Sequence, residues 1–172
     1  MEKLIEIKDK DLKLTPKEVL YWRIRDAARA IVVDKNTNQI GLLHVTKRNY
    51  HTLPGGGLNE GESVLEGVQR EVLEEIGCKV KFISKFATVI EHRSQVELRQ
   101  RSHIFIAELL EKVQANPTEE EIQSGSIPKW LSLDDAIKTI KKESKESRDY
   151  EYKFMFARDI MILEEYKKLL KN

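Results

Sequence analysis

A single cysteine, Cys78, among 172 residues excludes an intramolecular disulfide and any all-cysteine metal site, and it points to an intracellular setting. Apolar runs of membrane-spanning length are missing as well. The first ten residues carry Glu2, Lys3, Glu6, Lys8, Asp9 and Lys10, and so lack the apolar core of a signal peptide. Charge of one sign is not in excess: 30 Lys and Arg against 29 Asp and Glu leave a formal charge of +1. That balance argues against a sequence-independent grip on a nucleic-acid polymer and against a polybasic membrane anchor. Internal repeats and low-complexity tracts are also absent. What remains is ordinary for a globular chain, 40% hydrophobic and 34% charged. At about 150 residues per domain the length predicts one domain. A chain this long buries roughly 70% of its unfolded surface and needs no covalent staple. The expectation is a soluble cytoplasmic protein.

Along the chain, Ile5 and Ile7 alternate with charges, which predicts a strand. Thr15-Pro16-Lys17-Glu18 has the form of a capping box with proline at the first helical position, predicting a short helix through Tyr21-Trp22. Residues 27–33 and 40–45 read as a hairpin around the polar turn 34–39. Ser63-Val64-Leu65-Glu66 opens a helix that ends at Gly77, with Leu65, Val68, Val72 and Ile76 as its buried stripe. Residues 79–91 and 98–109 alternate as strands, and Ile127–Leu131 forms a shorter one. Ser132 caps a further helix, residues 141–148 read as a solvated charged linker, and Phe154–Leu170 has helical apolar spacing. Three parts follow: an N-terminal extension of strand and short helix (1–24), a core (25–140), and a charged linker with a C-terminal helix packing on the core (141–172).

The chemistry concentrates between Gly56 and Cys78. Gly56 is followed after five residues by Glu62, after seven more by Arg70-Glu71-Val72, then by Glu74-Glu75 and Gly77-Cys78. On a helix Glu71, Glu74 and Glu75 project from one face within a turn. Carboxylates this close repel and raise one another's pKa, and a divalent cation reverses that cost. Oxygen-only ligands suit Mg²⁺, with Mn²⁺ as substitute, rather than Zn²⁺. Arg70 can pair with Glu66 or Glu74 and orient the cluster. Gly55, Gly56 and Gly57 let the preceding loop bring backbone close to metal and to a phosphate chain. Neither a dinucleotide-binding GxGxxG nor a P-loop is present.

This stretch resembles the signature of the Nudix hydrolases, G-x5-E-x7-R-E-U-x-E-E-x-G-U, where U is aliphatic. Every fixed position matches; Cys78 stands in the last aliphatic slot, where it can pack as a small hydrophobe. Leu53-Pro54-Gly55 before the box and Pro128–Ala136 after it are similar to the family too. The resemblance implies an α+β fold: an α/β/α sandwich with a mixed β-sheet and the box as a catalytic loop–helix–loop. It implies a Mg²⁺-dependent pyrophosphohydrolase acting on a nucleoside diphosphate linked to another group. It assigns Glu71, Glu74, Glu75 and Gly56 to the metal and Arg70 to the catalytic set. Gly55, Gly56, Gly57, Arg29 and His51 are the candidates for substrate.

Family members often add an acid from a loop ahead of the tryptophan-containing strand. Glu120 and Glu121, in Thr118–Glu121 before Trp130, are the candidates here, with Glu91 and Glu97 as rivals. The branch marks of ADP-ribose, dinucleoside-polyphosphate and NADH hydrolases are missing downstream of the box. A nucleoside triphosphate is therefore the leading substrate, and ADP-ribose or a nucleotide sugar the alternative. A non-catalytic nucleotide sensor is the alternative of another class, disfavoured because every box carboxylate is kept. Arg23, Arg25 and Arg29 could meet phosphates, Tyr50 could stack a base, and Trp130 reads as core. The isolated Ile5–Ile7 strand could pair with a second copy, giving a homodimer, or fold back on its own sheet.

Overall fold

A computed structural model describes residues 2–171. Eight strands form one mixed sheet: β1 (Lys3–Lys8), β2 (Arg23–Asp34), β3 (Gln39–Val45), β4 (Tyr50–Thr52), β5 (Gly55–Gly57), β6 (Cys78–Arg93), β7 (Leu98–Lys112) and β8 (Ser126–Ser132). The order is β1-β6-β7-β2-β3-β4, with β5 on β2 and β8 on β3. The pairs β1–β6 and β2–β7 are parallel, and β6–β7 and β2–β3 are antiparallel hairpins. Among the described residues four α-helices, α1 (Val64–Ile76), α2 (Glu119–Ser124), α3 (Leu133–Glu146) and α4 (Tyr150–Leu169), and two short 3-10 turns, Asp9–Leu12 and Ser94–Val96, accompany the sheet.

Strand alternation sorts the core into two layers. On β2, Ala28, Ala30 and Val32 face α1 with Val68, Val72, Ile76 and Cys78. Ile31, between them, faces the other side with Leu42, Ile104, Ile140, Phe154, Phe156 and Leu163, where α3 and α4 pack. The small residues on the α1 face let that helix lie close. A Cβ at Gly41 would stand 2.9 Å from Ile76 Cδ1. The α/β/α sandwich, the hairpins, the strand at Ile5–Ile7 and the C-terminal helix all match the sequence expectation. Trp130 packs against the α1 layer, with Lys112 Nζ 4.2 Å from its ring centroid, as a core residue would.

Three local expectations are corrected. Residues 13–22 form no helix. They lie extended against the β6–β7 turn, where Ser94 Oγ accepts from Lys17 N at 2.7 Å and Thr15 O from Gln95 Nε2 at 3.2 Å. A helix of one or two turns without a buried stripe does not offset its nucleation cost, and the tertiary partners win. Residues 141–146 are no linker but the last turns of α3, whose buried Ile140 and the Glu143–His51 hydrogen bonds fasten it. Their charge run is that helix's solvated face. Leu65 is 48% exposed rather than buried. The inward face of α1 is rotated toward Gly67, Val68 and Glu71, so a carboxylate shares the buried side. β1 folds back beside β6 of its own chain.

The capping box of α1 forms as expected, with Ser63 and Glu66 exchanging bonds. Gly77 closes the helix at φ 59, and a Cβ there would collide with Val113 O. Gly77→Ala is therefore expected to cost at least about 1 kcal/mol, read as a lower urea midpoint at unchanged m-value.

Candidate active site

The loop that precedes α1 is fixed to β2 before it reaches the carboxylates. Ala30 N donates to Pro54 O at 3.0 Å, and Gly55–Gly57 pair antiparallel with Ala27–Arg29. Gly55 adopts φ +142, a conformation open to glycine, and a side chain there would strike the Ala28 carbonyl. Its N–H donates to Glu75 Oε2 at 2.6 Å. A Cβ on Gly56 would collide with the Glu71 carboxylate. The three glycines thus bring backbone against the helix's acidic face, as their spacing suggested.

Arg70 organises the same face. Its Nε and Nη2 clasp both oxygens of Glu62 at 2.8 and 3.0 Å, and Nη2 also reaches Gly57 O at 3.2 Å. Nη1 donates to Glu71 Oε1 at 2.8 Å and Glu74 Oε2 at 3.0 Å. Of the two partners expected for Arg70, Glu74 is found and Glu66 is not, because the carboxylate of Glu66 is occupied by Ser63 in the cap; Glu62 and Glu71 are further partners. Beside this guanidinium the Glu62 carboxyl falls to about 2.

Glu71, Glu75 and Glu121 each offer a carboxylate oxygen, and these oxygens all lie within 4.8 Å of one another. Glu121 arrives on α2, where Thr118 N and Oγ1 donate to its Oε2 at 2.6 and 2.9 Å. Glu74 lies outside this trio and turns to Arg70. Burial raises the pKa of Glu71. Burial, then the charge of Glu71, raises Glu75 well above the usual carboxylate range. The donor set is all oxygen, Arg70 is ion-paired with Glu71 alone of the three carboxylates, and glycine backbone lies alongside. These residues fit a hard divalent cation.

A cleft of about 590 Å³ is lined by Glu75, by Glu120 and Glu121 on α2, and by Lys47, Arg48 and Tyr50. Tyr50 packs on Tyr152 at 5.0 Å between centroids, and burial pushes its hydroxyl up to about 12. The remaining candidates lie elsewhere. Arg29 Nη1 donates to Gly55 O at 2.6 Å, placing Arg29 behind the loop, and its buried Nε has no hydrogen-bond partner among the described residues. His51 is buried, stacked on His44 at 4.1 Å and bonded through Nδ1 to Glu143 at 2.7 Å; it does not line the cleft. Glu91 is fully buried among Arg93, Gln100 and Arg158. Glu97 is bound to Lys17 on the surface. Neither rival acid joins the cluster. Lys47 and Arg48 carried no signal in the sequence beyond their closeness to Tyr50.

The family model for the NUDIX domain matches residues 23–153. The chain belongs to the Nudix family. It is 30% identical over 126 residues to Nudix hydrolase 6 of Arabidopsis thaliana, a match spanning 68% of this chain and 42% of that protein. It is 37% identical over 81 residues to the oxidized purine nucleoside triphosphate hydrolase of Mus musculus, spanning 46% of this chain and 47% of that one. The chain thus spans less than half the length of these curated relatives. A Nudix hydrolase structure from Nitrosomonas europaea superposes with a TM-score of 0.64 at 17% identity, over 85% of this chain and 90% of that one. The Nudix box is the stretch from Gly56 to Cys78; it supplies Glu71 and Glu75 of the trio, and Glu121 comes from outside it.

The raised carboxyls make the metal-free Nudix chain pH-sensitive. A carboxyl whose folded pKa lies above its unfolded value favours folding while protonated, and that stability is lost as pH rises from the ordinary value of 4.5 through the folded one. Urea unfolding in EDTA should show stability falling above that pH, and Glu75→Gln should flatten the decline.

Proposed function

We propose that this chain hydrolyses the pyrophosphate linkage of a nucleoside diphosphate joined to another group, with a nucleoside triphosphate as the favoured substrate. The observation that carries this reading is the convergence of Glu71, Glu75 and Glu121, held in mutual repulsion beside a cleft that Lys47, Arg48 and Tyr50 also line. Glu71, Glu75 and Glu121 would hold Mg²⁺, or Mn²⁺ in its place, with Glu74 holding Arg70 in position. When bound, the cation offsets charge on the phosphoryl oxygens and makes water a usable nucleophile near neutral pH. Lys47 and Arg48 face the polyphosphate, and Tyr50 offers a ring to the base. Glu120, on the cleft wall outside the trio, takes the proton as the water oxygen bonds to phosphorus and the P–O anhydride bond breaks. The name of the mouse relative supports a triphosphate, while ADP-ribose or a nucleotide sugar is the second substrate class. A reducing, cytoplasmic location suits the one cysteine, buried at Cys78.

Three sets of measurements test this. Glu71→Gln and Glu75→Gln keep size and helix propensity and should lower kcat on the order of 100-fold or more, with the fold retained by circular dichroism. EDTA should abolish turnover, and Mg²⁺ should raise the Tm of the wild type but not of Glu75→Gln. A panel of nucleoside triphosphates, ADP-ribose and nucleotide sugars, with products identified, assigns the substrate. Full turnover in both variants would sink the reading.

A further inference from the structure

Helix α4 begins near the end of the family match at residue 153 and continues well beyond it, yet it carries a charged pair in the middle of the protein. Asp159 is 0% exposed and Arg158 1%. Arg158 Nε donates to Asp159 Oδ1 at 2.8 Å, and Arg158 Nη1 lies 3.5 Å from Glu91 Oε2. Burying such a pair is costly, and apolar residues of similar volume usually stabilise a core at least as well. Packing alone does not call for an aspartate here.

The other oxygen of Asp159 points away from α4. Oδ2 accepts from Thr52 Oγ1 at 2.6 Å and from the Leu53 N–H at 3.0 Å. Leu53 is followed by Pro54 and then Gly55. The Pro54 carbonyl is tied to β2 through Ala30 N at 3.0 Å, and the Gly55 carbonyl to Arg29 Nη1 at 2.6 Å. The Gly55 N–H in turn holds Glu75 Oε2 at 2.6 Å. A continuous run of charge-assisted and backbone bonds therefore joins α4 to a carboxylate of the cation site. Each bond fixes the start of the next peptide, so an error in the Leu53 amide is passed to the Gly55 amide.

We propose that Asp159, held by Arg158, is a positioning residue for the cation site: it fixes the Thr52–Gly55 backbone so that the Gly55 N–H presents Glu75 to the metal. The inference rests on the hydrolase reading above and adds a residue outside the box to its machinery. All three acceptor duties of Asp159 need a carboxylate. An asparagine would set an NH₂ either against Arg158 Nε or against the Leu53 N–H, and one of these bonds is lost in either orientation.

The test is Mn²⁺ binding followed by electron paramagnetic resonance on the full chain, with kcat and KM measured on the substrate that the panel selects. Asp159→Asn should remain folded by circular dichroism and bind Mn²⁺ about tenfold or more weakly. Its kcat should fall while KM stays near the wild-type value. Thr52→Val removes one bond at the other end and should shift both readings the same way by less, and Thr52→Ser, which restores the hydroxyl, should recover them. Ile162→Val loosens the same buried helix without touching a polar partner and should leave Mn²⁺ affinity intact. Wild-type affinity and kcat in a folded Asp159→Asn would overturn the proposal, as would an equal loss of affinity in Ile162→Val. Should Asp159→Asn fail to fold, Thr52→Val decides by the same readings. Glu75→Gln separates the two claims: if it binds Mn²⁺ as the wild type does, the metal-site reading itself falls, whereas a normal Asp159→Asn beside a defective Glu75→Gln overturns the positioning role alone.

Discussion

Like-charge repulsion on α1 is the constraint to which the surrounding structure answers. Glu71 and Glu75 sit one turn apart, partly withdrawn from water, with Glu121 brought in from α2. Left alone, these side chains would swing apart or take up protons. The architecture prevents the first: Arg70 holds Glu71, the Gly55 N–H holds Glu75, and the Thr118 cap holds Glu121. The rotation of α1 that exposes Leu65 follows from the same requirement, since the helix must turn Glu71 inward. The small residues Ala28 and Ala30 on β2 let α1 lie close to the sheet and so keep its acidic face against the glycine loop.

The site was legible wherever its residues are neighbours in sequence. Glu71, Glu74 and Glu75 could be set on one helical face by counting, and Ser63 and Gly77 marked that helix's ends. The fold class followed from the resemblance carried by the same stretch. Interactions across the sheet left no local trace. Glu62 joins Glu74 on Arg70 because the Asn59–Glu62 turn folds back over the helix, a geometry that spacing along the helix does not contain. Nothing around Asp159 distinguishes it from any other acid on a charged helix until α4 is laid against β4. The capping box at Thr15 shows the opposite failure, a correct local signal overruled by Ser94 and Gln95.

Among the acids outside the box, burial separates roles that composition does not. Glu91 is surrounded by Arg93, Gln100 and Arg158, so its charge is spent within the protein and helps hold α4 to β6. Glu120 lines open space and has no such commitment. His51 follows the same rule: adjacent to the glycine loop in sequence, it is consumed by Glu143 and thereby locks the end of α3 to β4.

Glu121 has a double employment with a thermodynamic consequence. One of its oxygens closes the cap of α2, and the carboxylate is also a member of the acidic trio. A six-residue helix has little intrinsic stability, and α2 buries none of its residues, so its cap is a large part of what keeps it wound. Two equilibria, the winding of α2 and the occupation of the trio by positive charge, therefore share one group. Linkage makes them reciprocal: whatever favours the wound helix tightens the hold on a cation, and a cation in the trio favours the wound helix by the same free energy. The wall of the cleft that carries Glu120 is in this sense a variable of the charge state beside it, and order in one is order in the other.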